Sequence, residues 1–288
     1  MKQVFWLCGL LFISSLALSQ EKALIKGQLM FVDKNTGNLV IEKEVTGFDP
    51  GKNVHFSSGR LEIVRDPVSD KVTFAKAEGS VKVMRKQEYA YFDQGVFKRN
   101  LSLITVEGKL QVGTEQIRID AHRAVYDTAA KTGVMYPLPS QRIRFLFHKE
   151  NPKNRSELIP VTGVADEVRV FEDLKKLILQ GHVEVNDPQE PSQFKAGRVV
   201  AFFDEASKLE EMTASGGFEM SQPGRDSSSR RAVLSYETDL IVLLGQAKVL
   251  QVGEGEVQGE RIEMHMDAKK GFIRGQRKKP LRIEIPLN

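Results

Sequence analysis

From about position 20 onward the chain consists of short alternating runs of apolar and polar residues, broken by Gly, Asn-Thr-Gly, Asp-Pro and Lys-Lys-Gly. That is the pattern of strands joined by tight turns. The clearest run is Arg261-Ile262-Glu263-Met264-His265-Met266-Asp267. Side chains alternate along a strand, so Ile262, Met264 and Met266 share a dry face and Arg261, Glu263, His265 and Asp267 a wet one. Ile117-Arg118-Ile119, Val183-Glu184-Val185 and Leu281-Arg282-Ile283-Glu284-Ile285 read the same way. Val199-Val200-Ala201-Phe202-Phe203 is apolar on both faces and predicts a strand covered on both sides. Few segments carry a helical period.

The strands repeat. Glu78-Gly79-Ser80-Val81-Lys82-Val83, Glu107-Gly108-Lys109-Leu110-Gln111-Val112, Gln180-Gly181-His182-Val183-Glu184-Val185, Ser215-Gly216-Gly217-Phe218-Glu219-Met220 and Leu244-Gly245-Gln246-Ala247-Lys248-Val249 each place a glycine, one linking residue and then an alternating strand. The glycines are 29 apart from Gly79 to Gly108, 35 from Gly181 to Gly216, 29 to Gly245 and 30 to Gly275. Between them recurs an apolar strand with a small residue and an aromatic, as in Ala121 to Asp127, Ala196 to Asp204 and Ser229 to Tyr236. Each unit is therefore about two strands and two turns, and cannot bury its apolar face without stacked neighbours. A glycine at the strand entry suits a corner or bulge between sheet layers.

Residues 134–160 interrupt the repeat with Pro137, Pro139, Pro152 and Pro160 around a charged middle, Arg142 through Arg155. They read as a long loop or as a boundary. The expected organisation is a signal segment at 1–19, a β-repeat segment at 20–133, this interruption at 134–160, and a second β segment at 161–288.

The opening segment changes the picture of compartment. Lys2, the apolar run from Val4 to Leu18 and the small-x-small pattern Ala17-Leu18-Ser19 predict a cleaved secretory signal. Cys8, the single cysteine, leaves with it, so the mature chain is expected to hold no disulfide and no thiolate metal site. The formal net charge of +4, from 42 basic and 38 acidic residues, is not that of a nucleic-acid binder. Arg274, Arg277, Lys278, Lys279 and Arg282 gather near the end; such charges guard an edge strand or meet a local anion.

Leu179-Gln180-Gly181-His182-Val183-Glu184-Val185 followed by Phe194-Lys195-Ala196-Gly197-Arg198-Val199, and Leu244-Gly245-Gln246-Ala247-Lys248-Val249 followed by Val257-Gln258-Gly259-Glu260-Arg261-Ile262 and Ala268-Lys269-Lys270-Gly271, resemble the LptA/OstA-like family of periplasmic lipopolysaccharide-transport proteins. The likeness spans Val164 to Gly275, and Thr73 to Gly133 loosely. It implies an all-β, open-ended β-jellyroll, a stacked antiparallel two-sheet repeat. Such a fold holds acyl chains in an apolar groove. The expected groove residues are Val199, Ala201, Phe203, Phe218, Met220, Leu243, Val249, Ile262, Met264 and Met266, although any sandwich core needs the same residue types. The implied partners are lipopolysaccharide, transport components at the inner and outer membranes, and further copies joined head to tail by β-augmentation. The edge strand expected to dock them holds Leu281, Ile283 and Ile285. No cofactor and no metal are expected.

Motifs for chemistry are weak. The chain shows no Gly-x-Ser-x-Gly elbow, phosphate-cradling glycine loop or His-Glu-x-x-His pair. His55, His122, His148, His182 and His265 are scattered, and His265 with Asp267 reads as a solvated face more than a metal pair. The alternative from another class is a secreted structural or adhesive β-solenoid, which takes up no lipid and favours repeats of near-constant length.

Overall fold

The computed structural model describes residues 24–33, 36–69, 71–151, 154–188, 192–205, 208–253, 255–266, 273–275 and 282–284. The expected signal segment lies outside them, as do Asp267, Leu281 and Ile285.

The described chain is almost entirely antiparallel β. It divides into two compact units, Met1–Ile143 with Arg169–Leu174, and Arg144–Val168 with Lys175–Asn288. The strands of the first segment are β1 (Leu24–Lys26), β2 (Leu29–Val32), β3 (Leu39–Asp49), β4 (Val54–Arg65), β5 (Val72–Arg85), β6 (Glu88–Lys98), β7 (Leu103–Gly113), β8 (Ile117–Asp127) and β9 (Thr132–Tyr136). A single 3-10 turn, Arg99–Leu101, precedes β7. There follow β10 (Ile143–Asn151), β11 (Asn154–Ala165), β12 (Glu167–Phe171), β13 (Lys176–Asp187), β14 (Ser192–Phe203), β15 (Leu209–Gln222), β16 (Arg225–Ser235), β17 (Leu240–Gln251), β18 (Gly255–His265), β19 (Ile273–Gly275) and β20 (Arg282–Glu284). The stretch 134–160 is thus mostly strand, and the division into units falls inside it, after Ile143.

In each unit the long strands form a meander, every strand antiparallel to the next along the chain. From β13 to β18 each neighbouring pair breaks register once in mid-strand: between Gln180 and Val183, Lys195 and Arg198, Ser215 and Phe218, Ser228 and Arg231, and Leu244 and Ala247. The breaks align across the sheet, so a column of bulges folds one broad meander into two half-sheets. The first unit repeats the device, with breaks after Glu42, Ser57, Glu78, Tyr91 and Glu107.

Two kinds of bulge alternate along this column. In β14 the inward residues are Phe194 and Ala196, then Val199, Ala201 and Phe203. Two consecutive outward residues, Gly197 and Arg198, shift the parity so that both halves keep their apolar side inward. In the odd strands a left-handed pair does the work: the repeat glycines 79, 108, 181, 216 and 245 have φ from +74° to +81°, and the residue after each also has positive φ. The glycine and its linking residue are therefore mid-strand corners, not strand entries as the spacing predicts. Gly216 needs to be glycine twice over, for its φ of +79° and because a Cβ there would lie 3.2 Å from the Cα of Gly197 on the adjacent strand.

The repeat reading otherwise holds: each period is one long strand with a glycine corner and one return strand. The stretch Val199 to Phe203 departs from expectation. Val199, Ala201 and Phe203 are buried, while Phe202 is exposed, so the strand is covered on one side only. Its outward Phe202 belongs to a two-layer sheet and not to a three-layer one.

Candidate functional site

The candidate site is the interior between the half-sheets of the second unit. One half-sheet consists of the segments before the bulge column in the odd strands and after it in the even ones, and contributes Val199, Ala201, Phe203, Leu243, Ile262, Met264 and Met266. The other contributes Phe218, Met220 and Val249. All ten residues expected from the sequence to line a groove point into this interior and are buried. The two sides touch: Ser227 Oγ approaches Met264 Sδ at 3.9 Å, and Gln222 Nε2 donates to the backbone carbonyl of Met266 at 2.8 Å.

Aromatic residues thicken the lining. Phe194 lies against Phe218 with ring centroids 5.6 Å apart, while Phe145 stacks on Phe147 at 5.0 Å and Phe147 meets Phe203 edge-on at 5.6 Å. Offset and edge-on pairs of this kind add about 0.5–1.5 kcal/mol each beyond the area they bury. Each large apolar side chain removed from water contributes roughly 1.5–3 kcal/mol, so the interior that could receive a ligand also holds the unit together. In this conformation it is filled. Among the described residues a cavity of about 20 Å³ lies there, lined by Val161, Val185, Phe194, Met220, Gln222 and Met266 among others.

That cavity sits opposite the bulge column, where the strand ends of the two half-sheets meet. Polar groups close this side. Arg225, only 3% exposed, donates from Nη2 to the carbonyls of His265 at 2.8 Å and Met266 at 2.9 Å. It also donates through Nε to Gln222 Oε1 at 2.9 Å. Lys149 pairs with Asp187, both largely buried, and its ammonium lies 6.0 Å from the centre of the Tyr236 ring. A column of bulges thus bounds the interior on one side, and polar ties close the other, its mouth.

The sequence reading found the apolar faces and missed the mouth. Phe145, Phe147, Phe194 and Leu234 are further inward residues that the sequence reading did not name among those of the groove, whereas Gln222, Arg225, Lys149 and Asp187 carry no sequence signal that separates them from polar surface residues. His265, considered with Asp267 as a metal pair, stands 3.8 Å by Nδ1 from Asp239. Ile283 of the expected docking strand lies in β20, opposite Val257 of β18. In the first unit, β1 and β2 run along β3 on either side of Gly27 and leave Leu29, Met30, Phe31 and Val32 exposed.

Residues 164–270, which fall largely in this unit, match the model of the family described as LptA/(LptD N-terminal domain) LPS transport protein. Among solved structures the chain is similar to LptH, the LptA-homologous periplasmic component of the conserved lipopolysaccharide transport device of Pseudomonas aeruginosa. The identity is 12%, the alignment covers 43% of this chain and 89% of that one, and the TM-score is 0.36. No curated protein matches.

Proposed function

We propose that this chain, whose residues 164–270 carry the domain of a lipopolysaccharide-transport family, is a periplasmic carrier of lipopolysaccharide that shelters lipid A acyl chains between the half-sheets of its second unit. The observation that supports the reading most is a coincidence of place. The family match coincides with the segment whose two apolar half-sheets face one another and meet at a polar mouth. Acyl chains replace inward contacts among Phe218, Met220, Met264 and Met266 by contacts of equal polarity, and methionine adapts to mobile tails because its thioether is flexible and polarisable. Holding the cargo needs no bond to be made or broken, so the protein acts by binding and not as an enzyme. Transfer then follows from differential affinity between successive sites.

The mature chain is exported by its cleaved signal and works between transport components of the inner and outer membranes. Among the described residues no helix is long and apolar enough to cross a membrane. Docking to those components, or head to tail to another copy, uses the strand around Leu281, Ile283 and Ile285 by β-augmentation. Ile283→Pro removes a backbone donor from that strand and is expected to abolish docking while the two units stay folded.

Purification of the mature protein from a lipopolysaccharide-producing host, followed by solvent extraction and mass spectrometry, tests the cargo. Lipid A recovered in stoichiometric amount supports the carrier. A folded protein that yields no lipid, and takes none up when mixed with lipopolysaccharide, points instead to a closed structural β-solenoid.

A further inference from the structure

The interior of the second unit is not uniformly apolar. On the first half of β16 the three inward residues are Arg225, Ser227 and Ser229, all buried and all polar, and Gln222 faces them from the end of β15. They adjoin Met220, Met264 and Met266, so one end of an otherwise apolar chamber is lined with hydrogen-bonding groups. Ser229 is committed locally, donating to the carbonyl of Arg231 at 2.8 Å. Arg225, Gln222 and Ser227 reach across to β18 and its end instead, where Arg225 and Gln222 converge on the carbonyls of His265, the last residue of the strand, and of Met266, which follows it.

We propose that Arg225, supported by Gln222 and Ser227, is the headgroup site of the lipid carried by this unit, and that it takes a phosphate ester. The proposal rests on the carrier reading above and adds to it the residue that selects the cargo. In the closed form the guanidinium is shared between Gln222 Oε1 on its own half-sheet and the carbonyls of His265 and Met266 on the opposite one. Entry of acyl chains separates the half-sheets, so it withdraws those two carbonyls from Arg225 and leaves Gln222 beside it. A phosphate on the same molecule then arrives at the mouth where the guanidinium has been released. The planar fork matches two phosphate oxygens at once, and a charge-assisted pair is stronger than bonds to backbone carbonyls. Gln222 Nε2, freed from Met266, and Ser227 Oγ supply further donors. The same residues thus tie the mouth shut without cargo and recognise the cargo that opens it.

The test uses the full mature chain and two probes with identical acyl chains, a bis-phosphorylated glucosamine disaccharide lipid and its dephosphorylated form, with affinities measured by displacement of a fluorescent fatty acid. The wild type is expected to prefer the phosphorylated probe by about tenfold or more, the range of a charged hydrogen bond. Arg225→Gln is expected to lose that preference and to bind the dephosphorylated probe at least as well as the wild type. Arg225→Lys, which keeps the charge without the fork, retains part of the preference and reports on the site should Arg225→Gln not fold. Inorganic phosphate at millimolar concentration is the third arm, and is expected not to displace the lipid, because the phosphate site forms only when acyl chains open the mouth. Equal preference in wild type and Arg225→Gln, or displacement of the lipid by free phosphate alone, overturns the headgroup assignment. Failure of the wild type to bind either probe overturns the carrier reading itself.

Discussion

Replacing Gly216 by alanine tests whether the bulge column is a corner that requires glycine or an incidental irregularity. Two costs add at this position. Alanine at φ +79° pays the left-handed steric penalty of about 1–2 kcal/mol, reduced by about 0.4–1 kcal/mol because alanine also restricts the unfolded chain. The new Cβ would stand 3.2 Å from Gly197 Cα, inside the roughly 3.5–4.0 Å optimum for carbon pairs, and the obstacle is backbone on both sides. Spreading β14 from β15 to relieve it resembles overpacking, at about 1–3 kcal/mol. Gly217 supplies the internal control, since its φ is +83° but a Cβ there meets nothing within 4 Å. Gly217→Ala should therefore cost about 1 kcal/mol or less, and Gly216→Ala about 2–3 kcal/mol, by the same penalties. Urea unfolding followed by circular dichroism measures both, and with slopes of about 1–3 kcal/mol/M the two midpoints should differ by roughly 0.5 M or more. Equal midpoints would refute the close approach of strands at the corner, and a stabilised Gly216→Ala would refute the corner altogether.

Other consequences can be measured on the same protein. Asp187→Ala strands the largely buried Lys149 ammonium and should cost about 3 kcal/mol, whereas Lys149→Met with Asp187→Leu should recover most of it; a double variant as unstable as the single one would contradict the view that the pair closes the mouth without net stabilisation. In the first unit Tyr126 donates to the buried Glu172 at 2.5 Å, and burial pushes the Glu172 carboxyl above its ordinary value of 4.5 against the opposing pull of that bond and of Lys131. A raised carboxyl means that the folded state holds a proton which the unfolded chain has lost, so stability falls as pH rises from about 4.5 to the folded value and is level above it. Glu172→Gln should remove that slope, gaining on the wild type as pH rises; parallel stability curves across the window would show that Glu172 is not protonated on folding. Met264→Ala should destabilise the second unit by about 2–5 kcal/mol through the cavity it leaves, a loss that bound lipid should partly restore and that a filled structural core would not recover.

How far the sequence reaches depends on the kind of information each residue carries. Alternation is local, so the inward faces of Arg261 to Met266 and of Phe194 to Phe203 could be read directly. Gly79, Gly108, Gly181, Gly216 and Gly245 announced the corners, because only a backbone bend explains a glycine recurring before each alternating run. Their place in mid-strand was hidden, since alternation on either side of a bulge looks like two short strands. Residues 134–160, read as a loop or a boundary, do hold the division between the units, but their strands were hidden for a related reason: Pro137, Pro139 and the charges around Arg142 to Arg155 obscure the period-two run Ile143, Phe145, Phe147, which puts Lys149 on the inward face as well. Arg225 and Gln222 flank the turn at Pro223-Gly224, where polar residues are the rule. Nothing local distinguishes a guanidinium that reaches across to β18 from one that points to water.

The central claim is that the filled interior of the second unit opens to take acyl chains. A photo-crosslinking amino acid at Met264, with its neighbour Glu263 as control, tests it most directly when the protein is made in a lipopolysaccharide-producing host. Met264 points inward and is fully buried, while Glu263 lies on the outer face of the same strand. Lipid A adducts at Met264 and none at Glu263 are the result the account predicts. No adduct at Met264 in a protein shown to be folded, or adducts of equal yield at both positions, would contradict it.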